Sequence, residues 1–296
     1  MVRASTWVTL ALVAGALVGC QKVWGFEDFE EGAAAGAGGG AGAGGASGSG
    51  GSSTGGSSGS GGTGGGEPCV HPEAPLDTVG IRDRTGTCIW VDKFEVSRDE
   101  YEAFRKAGAS PLSYAKCSWN STFDGPEKKQ GAVPCTGPGE IGDAGALPGD
   151  APVTCVDWCD AKSFCVFSMK ELCTGTYNKP KEGVWYDACS SNDKNDYPYA
   201  GTYQSTVCND DSVIAKTLVS VGSRKQCVTP SGLFDMTGNA AEWVDACNGD
   251  TQTDTCDIRG GSFNDNSGLA MCGGSVGLKK EVGLGTLGFR CCWTPP

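Results

Sequence analysis

The sequence predicts an exported domain of short strands and helices, cross-linked by disulfides, that follows a targeting segment and a flexible tether. Residues 33–66 contain only Gly, Ala, Ser and Thr, a composition that cannot bury enough apolar surface to offset the entropy of ordering it. This tether should span on the order of 30 Å end to end. Residues 67–296 hold 16 of the 17 cysteines and are numerous enough for one sizeable core. We therefore predict a signal segment over 1–20, a tether over 21–66 and one domain over 67–296.

The N-terminus has the features of a bacterial lipoprotein signal. Arg3 precedes an apolar run from Trp7 to Val18 that is too short to span a bilayer. The run ends in Leu17-Val-Gly-Cys20, which resembles a lipobox. The alternative is an ordinary signal peptide that happens to end in cysteine. We expect Cys20 to carry a lipid, so that the chain lies in the bacterial cell envelope, faces outside the cytoplasm and is anchored to the membrane without spanning it.

Local signals assign some regular structure within the domain. Ile89–Val96 alternates between apolar and polar residues, which predicts a strand. Ser97 follows it as a helix N-cap, with Glu100 three residues later, and this pair is the signature of a capping box. A second short helix is predicted over Trp158–Phe167. Long loops rich in Gly and Pro separate these elements.

The cysteines predict a disulfide framework. Without Cys20, 16 cysteines remain, and an even number in an exported segment is typical of disulfide bonding. The spacing does not determine the connectivity. Three local pairs are nevertheless suggested: Cys69–Cys88 closing an N-terminal hairpin, Cys117–Cys135, and Cys247–Cys256.

Composition excludes several classes of function. His71 is the only histidine, which argues against His-based metal sites and against Ser-His-Asp triads. Cys155 and Cys159 lie four apart, but no second pair answers them as a zinc site would require. The formal charge of −12 and pI near 4.6 argue against a nucleic-acid partner, which needs a basic surface.

One stretch near the C-terminus, Ser231–Ala246, combines turns with acidic side chains. It runs S-G-L-F-D-M-T-G-N-A-A-E-W-V-D-A, and Gly232 and Gly238 mark turns because glycine adopts positive φ without a steric penalty. Asp235 and Glu242 could converge on a hard cation together with backbone carbonyls. The alternative is a turn capped by Asp235, with the tryptophan after Glu242 in the core.

Three ordered motifs together resemble one family. Ser231–Ala246 is followed by I-R-G-G-S-F over Ile258–Phe263 and by L-G-F-R-C-C-W over Leu287–Trp293. In this order they resemble the formylglycine-generating-enzyme (sulfatase-modifying factor) domain family, from about Asp92 to the end of the chain. The resemblance implies an α+β, loop-rich fold related to C-type lectins. The segment Met169–Ala188 matches less well and carries an insertion.

The resemblance also implies a calcium site. In the family, one side-chain oxygen, two backbone carbonyls and a glutamate bind the ion, and the matching positions are Asp235, Gly238, Ala240 and Glu242. Such an ion would pin the loop and stabilise the neighbouring site. A further family calcium site begins near Asn209. Its second acidic ligand would lie in the next stretch, but Leu218–Gln226 contains no acidic residue, so we expect that site to be absent or altered.

The catalytic residues of the family are not matched. Its enzymes oxidise a substrate cysteine with two copper-binding thiolates that follow the G-G-S-[YF] element, and here those positions are Asp265 and Ala270. Cys272 is nearby but offset, and one thiolate is a poor Cu(I) site, so we expect no copper. Ser262 stays where the family has its active-site serine. Ala241 replaces a common tryptophan.

Two functional hypotheses follow. The first is a non-catalytic binding or scaffold module with an unidentified protein or glycan ligand, whose candidate surface residues are Trp243, Phe263 and Asn264, although these are equally candidates for core or capping roles. The second is a formylglycine-generating-type oxidoreductase that uses a displaced thiol at Cys272 near Ser262. The second requires that Cys272 is not simply one partner of a structural disulfide.

Overall fold

The computed structural model of the protein describes residues 68–108, 115–123 and 147–296. The predicted signal segment, Cys20, the tether and Cys135 lie outside the described residues. None of the helices in the described ranges is long and apolar enough to cross a membrane.

Two four-stranded sheets form the framework, and the α+β class that we predicted is confirmed. The first sheet is antiparallel and has the order β1-β2-β8-β3; its strands are Thr78–Arg82, Cys88–Asp92, Cys291–Trp293 and Glu171–Leu172. The second has the order β6-β5-β4-β7, with β4 parallel to β7; its strands are Ser275–Lys279, Thr255–Arg259, Ala241–Cys247 and Leu287–Phe289. The strands β7 and β8 belong to different sheets and are separated by Arg290 alone, so this residue lies where the sheets meet.

The helices begin at the capping signals that the sequence contains. α1 spans Arg98–Lys106, and Ser97 Oγ accepts the Glu100 N–H while the Glu100 carboxylate accepts the Ser97 N–H at 2.7 Å. α2 spans Trp158–Phe167, as predicted, and α3 spans Val184–Ser190. A 3₁₀ turn covers Ala115–Cys117. The capping box therefore fixes the start of α1.

The predicted strand over 89–96 is shorter in the structure. β2 ends at Asp92, whose carboxylate accepts the Cys291 N–H at 2.8 Å. Beyond it the chain stays paired but changes partners: the Lys93 carbonyl accepts the Phe234 N–H at 2.9 Å, and the Val96 N–H donates to Phe289 at 3.0 Å. The alternation of polar and apolar residues therefore continues beyond the end of β2, although the chain has left the first sheet there.

Aromatic side chains fill the core around the second sheet. Tyr101 and Phe104 of α1 pack against Phe164 of α2 at centroid distances of 5.9 and 5.4 Å, and Phe289 of β7 lies 5.5 Å from Phe164. Trp158 is fully buried beside them, and its indole N–H donates to the Val244 carbonyl at 3.1 Å. Tyr101 and Phe104 of α1, three residues apart, are therefore core residues.

Disulfides connect the helices and loops to the sheets. The bonds in the described residues are Cys69–Cys88, Cys117–Cys159, Cys165–Cys291, Cys173–Cys292, Cys189–Cys272, Cys208–Cys227 and Cys247–Cys256; Cys155 is also disulfide-bonded. The predicted pairs 69–88 and 247–256 are confirmed. The pair Cys117–Cys135 is wrong, because the 3₁₀ turn places Cys117 against the start of α2, where Cys159 bonds to it.

Candidate functional site

The stretch 231–246 forms a tight turn that leads into β4. Asp235 and Asn239 both have positive φ, at 52° and 59°, as does Gly238 at 73°. A Cβ on Gly238 would lie 2.6 Å from the Asn209 carbonyl oxygen, so only glycine fits there. The Gly238 N–H donates to Gly260 at 3.0 Å. Two motifs that are distant in sequence therefore meet at this turn.

Asn239 is the centre of a buried hydrogen-bond network. Its Nδ2 donates to Glu95 Oε2 at 2.9 Å and to the Val219 carbonyl at 3.2 Å. Its Oδ1 accepts the Val219 N–H and Asn209 Nδ2, each at 3.0 Å. The side chain is fully buried and every donor and acceptor is used. Asn209, which we expected near an altered calcium site, instead supports this turn.

Arg290 and Glu242 form a buried ion pair between the sheets. Arg290 Nε lies 2.9 and 2.8 Å from the two Glu242 oxygens, and Nη2 lies 2.6 Å from Oε1. The guanidinium also donates to the Asp92 and Phe234 carbonyls at 3.1 and 3.0 Å. Trp185 Nε1 donates to Glu242 Oε2 at 2.6 Å. The Arg290 side chain therefore contacts both sheets and the turn.

These contacts decide how well the residues suit calcium. Each Glu242 oxygen accepts two hydrogen bonds, which uses about all four lone-pair sites of a carboxylate. Asp235 Oδ2 accepts the Gly222 N–H at 2.6 Å, whereas its buried Oδ1 has no partner. No group of three His, Cys, Asp or Glu in the part of the chain that the structure describes could hold a metal. As arranged, the set Asp235, Gly238, Ala240 and Glu242 does not fit a calcium ion, because Glu242 keeps no unused lone pair, whereas Asp235 Oδ1 is free to bind one.

Excess buried carboxylate shapes the electrostatics of this site. Glu95 accepts the Ala240 N–H at 2.9 Å, and no Lys or Arg nitrogen of the described residues lies within 4.0 Å of its carboxylate. Burial, followed by the charges of Asp235 and Glu242, raises the pKa of Glu95 well above its usual range. Burial likewise raises the pKa of Asp235 to about 6. The cluster thus favours protonated carboxyls over additional buried negative charge.

The loop after Gly260 carries the two positions that align with the catalytic thiolates of the family. Ser262 Oγ donates to Asp265 Oδ2 at 2.7 Å, and the Ser262 N–H donates to the same oxygen at 2.8 Å. Asp265 thus caps the turn at the position where the family has its first thiolate. Ala270, at the second position, is buried, and its N–H donates to Asn266 at 2.8 Å. Both positions lie in a hydrogen-bonded loop, and neither residue supplies a sulfur atom.

Cys272 is a disulfide partner and offers no thiol. It bonds to Cys189 in α3 and is 0% exposed. Cys291 and Cys292 bond to Cys165 and Cys173, so neither offers Cys272 a second thiol. The displaced-thiol hypothesis is wrong for this oxidised state, because the sulfur lies in a covalent bond inside the core.

Of the three residues predicted to form a ligand surface, the structure exposes one. Trp243 is 0% exposed, and its indole N–H donates to the Val156 carbonyl at 3.1 Å. Phe263 is 4% exposed and packs against Leu218. Both belong to the core, because β4 and the Gly-Gly turn direct them inward. Asn264 is exposed.

Three tyrosines beside that loop were missed from the sequence. The Tyr197 ring lies 5.9 Å from Tyr199 and 5.5 Å from Tyr203. The Tyr197 hydroxyl donates to the Ser267 carbonyl at 3.0 Å, which attaches the cluster to the loop that carries Asn264. Tyr199 and Tyr203 are half-buried. We call these three rings and Asn264 the tyrosine face; the Tyr-Pro-Tyr element was the signal that could have suggested it.

The fold and motifs agree with a family match over most of the chain. The model of the sulfatase-modifying factor enzyme 1-like domain matches residues 50–295. The protein therefore belongs to the formylglycine-generating-enzyme (sulfatase-modifying factor) domain family. No protein with a curated description matches this chain.

Three solved structures resemble the chain. PvdO from Pseudomonas aeruginosa is 18% identical with a TM-score of 0.50, over 70% of this chain and 80% of its own. CarF is 16% identical with a TM-score of 0.47, over 71% and 87%. Treponema denticola variable protein 1 is 16% identical with a TM-score of 0.45, over 70% and 85%. At these identities the likeness to PvdO supports the fold alone.

Proposed function

We propose that this protein is a surface-anchored, non-catalytic binding module of the bacterial cell envelope. One observation carries the proposal: the positions that align with the family's thiolate pair are Asp265 and Ala270, and the nearby Cys272 is bonded to Cys189. Ser262 is already engaged as a donor to Asp265. The hydrogen bonds of this loop stabilise a turn and leave no nucleophile or thiolate for the oxidation of a substrate cysteine.

The tyrosine face is the part of this loop cluster that supports binding. Two loops are joined there, because the Asp211 N–H donates to the Asp265 carbonyl at 3.1 Å and Tyr197 donates to Ser267. Loops on a rigid scaffold commonly carry recognition, and half-buried tyrosines supply contact area at low entropic cost. The proposed ligand is a protein or glycan that contacts Tyr199, Tyr203 and Asn264.

Anchoring through Cys20 completes the proposal. The apolar segment before Cys20 and the Gly/Ser-rich tether after it are typical of a lipoprotein whose domain is held at a distance from the membrane. A calcium ion has a smaller place in the proposal. Asp235 Oδ1 could bind one, but Glu242 would first have to exchange Arg290 or Trp185.

A count of free thiols on the whole exported chain tests the catalytic part. Under denaturing, non-reducing conditions we expect no maleimide labelling at Cys189 or Cys272, no bound copper and no aldehyde formed on cysteine-containing peptides. Labelling of Cys272 together with aldehyde formation would establish the oxidoreductase alternative instead.

A ligand screen tests the binding part. Glycans and envelope proteins are applied to the immobilised chain. Tyr203→Ala should weaken the affinity for any specific ligand about tenfold, which is the scale of one lost aromatic contact. Tyr177→Ala, which lies outside the tyrosine face, serves as the matched control. An effect of equal size in both variants would show that the face is not the site.

A further inference from the structure

A second surface, built from different residues, departs from the acidic character of the chain. We call Lys93, Phe94, Arg224, Lys225 and Phe234 the basic-aromatic patch. Lys93 and Lys225 are exposed, and both phenylalanines are half-buried. The chain as a whole carries 35 acidic and 23 basic residues, so two lysines over a pair of aromatic rings, with Arg224 next to Lys225 in the sequence, depart from its average charge.

The two rings of the patch are held in place from below. Phe94 and Phe234 lie 5.3 Å apart with their planes tilted by 32°. The Phe234 N–H donates to the Lys93 carbonyl at 2.9 Å, and its own carbonyl accepts Arg290 Nη2 at 3.0 Å. A Cβ on Gly222 would lie 2.3 Å from the Phe94 ring, so the glycine loop packs directly against it. The buried ion pair thus preorganises the rings of this surface.

The two lysines of the patch lie over these rings. Lys93 Nζ is 5.3 Å from the Phe94 centroid and 5.8 Å from that of Phe234, and Lys225 Nζ is 5.9 Å from the latter. Among the residues with assigned positions, neither lysine has an acidic oxygen within 4.0 Å. Arg224 donates to the Thr206 carbonyl at 3.1 Å.

Some exposed lysines of the chain form an ion pair with a carboxylate, and others do not. Lys106 pairs with Glu102 at 3.5 Å and Lys179 pairs with Glu182 at 3.3 Å, although both lysines are more than half exposed. Lys194, Lys216 and Lys279 are exposed and, among the described residues, have no carboxylate oxygen within 4.0 Å, so an unpaired lysine is not unusual on this surface. Lys93 and Lys225 are distinguished by their position over two aromatic rings.

We propose that the basic-aromatic patch binds an acidic polypeptide segment that carries an apolar side chain. Carboxylates of the segment pair with Lys93 and Lys225, and the apolar side chain packs against the two phenylalanine rings. The two lysine Nζ atoms lie 5.8 and 5.9 Å from the Phe234 centroid, so neighbouring acidic and apolar side chains of one short segment can reach the cations and the rings together. Aromatic residues and arginine are also enriched in protein interfaces. This site is separate from the tyrosine face and does not depend on the function proposed for it.

Fluorescence anisotropy with the whole exported chain tests the proposal. The probe is a labelled peptide, Glu-Phe-Asp-Glu-Phe-Asp, and its comparison is Gln-Phe-Asn-Gln-Phe-Asn. We expect the acidic peptide to bind at least about tenfold more tightly than the neutral one, and its affinity to fall severalfold between about 20 and 200 mM salt because exposed charges are screened. Equal binding of both peptides would overturn the proposal.

Matched variants separate the patch from net charge. Lys93→Glu with Lys225→Glu should abolish the preference for the acidic peptide. Lys106→Glu with Lys179→Glu changes the net charge equally and should retain it, and circular dichroism should show that both variants are folded. An equal loss in both double variants would mean that only net charge is measured. Binding of alginate or anionic vesicles without binding of the peptide would likewise overturn the assignment to a polypeptide.

Discussion

Arg290 and Glu242 join the two sheets through a buried ion pair. Arg290 is the single residue between β7 and β8; its guanidinium reaches Glu242 on β4 of the second sheet with a shortest N–O distance of 2.6 Å and donates to the Asp92 carbonyl on β2 of the first sheet. Both side chains are at most 1% exposed. A pair of this kind stabilises the fold only while both partners remain, since either charge alone would be buried without compensation.

Replacement of Arg290 should therefore be severe. Arg290→Met leaves Glu242 without its cation, and we expect a loss of about 3–5 kcal/mol in the free energy of unfolding, measured by urea denaturation. Lys179→Ala, which removes an exposed pair with Glu182, should cost only about 0.2–0.5 kcal/mol. The double variant Arg290→Met with Glu242→Leu should recover part of the loss. Equal stability of wild type and Arg290→Met would contradict a role for this pair.

Asn239 should be nearly as sensitive, for a different reason. Asn239→Ala removes four buried hydrogen bonds and places a less tolerant residue at positive φ. We expect a loss of about 2–4 kcal/mol, since each orphaned buried partner costs about 1–3 kcal/mol. Asn264→Ala, at an exposed position, is the control and should change stability by less than about 0.5 kcal/mol. Thermal melts that coincide for the two variants would refute the network.

The buried carboxyl of Glu95 predicts how stability depends on pH. Burial raises its pKa well above the usual value of 4.5, so the folded state holds this proton more tightly than the unfolded state does. The free energy of unfolding should then fall as the pH rises above 4.5 and towards the raised pKa. Glu95→Gln should flatten this part of the profile, whereas Glu73→Gln at an exposed position should not. A wild-type profile that rises over this range would show that the sign is wrong.

The bond between Cys189 and Cys272 should be structural. Changing both cysteines to serine should lower the free energy of unfolding by about 2–4 kcal/mol, because the bond closes a separation of 83 residues. The Cys69–Cys88 bond spans only 19 residues, and its removal should cost about 1 kcal/mol less on the chain-entropy account. Denaturant titrations under oxidising conditions measure both. A reversed order would indicate that strain or residual structure dominates over loop length.

Calcium should have little effect on stability if Glu242 keeps its present partners. We expect the Tm of the whole chain to change by less than about 1 °C between excess EDTA and millimolar calcium. A tightly bound ion would instead add about 3 kcal/mol at a hundredfold excess over Kd, which corresponds to a rise of several degrees. Such a rise, lost in Asp235→Asn, would show that Glu242 exchanges its partners to bind the ion.

Local sequence signals predicted the elements that depend on neighbouring residues. The capping box at Ser97, the helix over 158–167 and the disulfide pairs 69–88 and 247–256 are short-range features, and each is confirmed. The pair involving Cys117 failed because its partner is chosen by the packing of α2. The motif resemblance identified the family because three stretches kept their order along the chain.

By itself, the sequence determined the fold class, the even set of cysteines after residue 66 and the loss of the aligned thiolate positions, because these depend on motif order, composition and residue type. Only the tertiary structure decided that Arg290 saturates Glu242, that Cys272 bonds to Cys189, and that Glu95 completes the buried network. Glu95 and Asn239 are 144 residues apart. The occupation of lone pairs, the pairing of cysteines and the burial of charged groups depend on which side chains are close in space. Local sequence patterns do not specify those distant contacts.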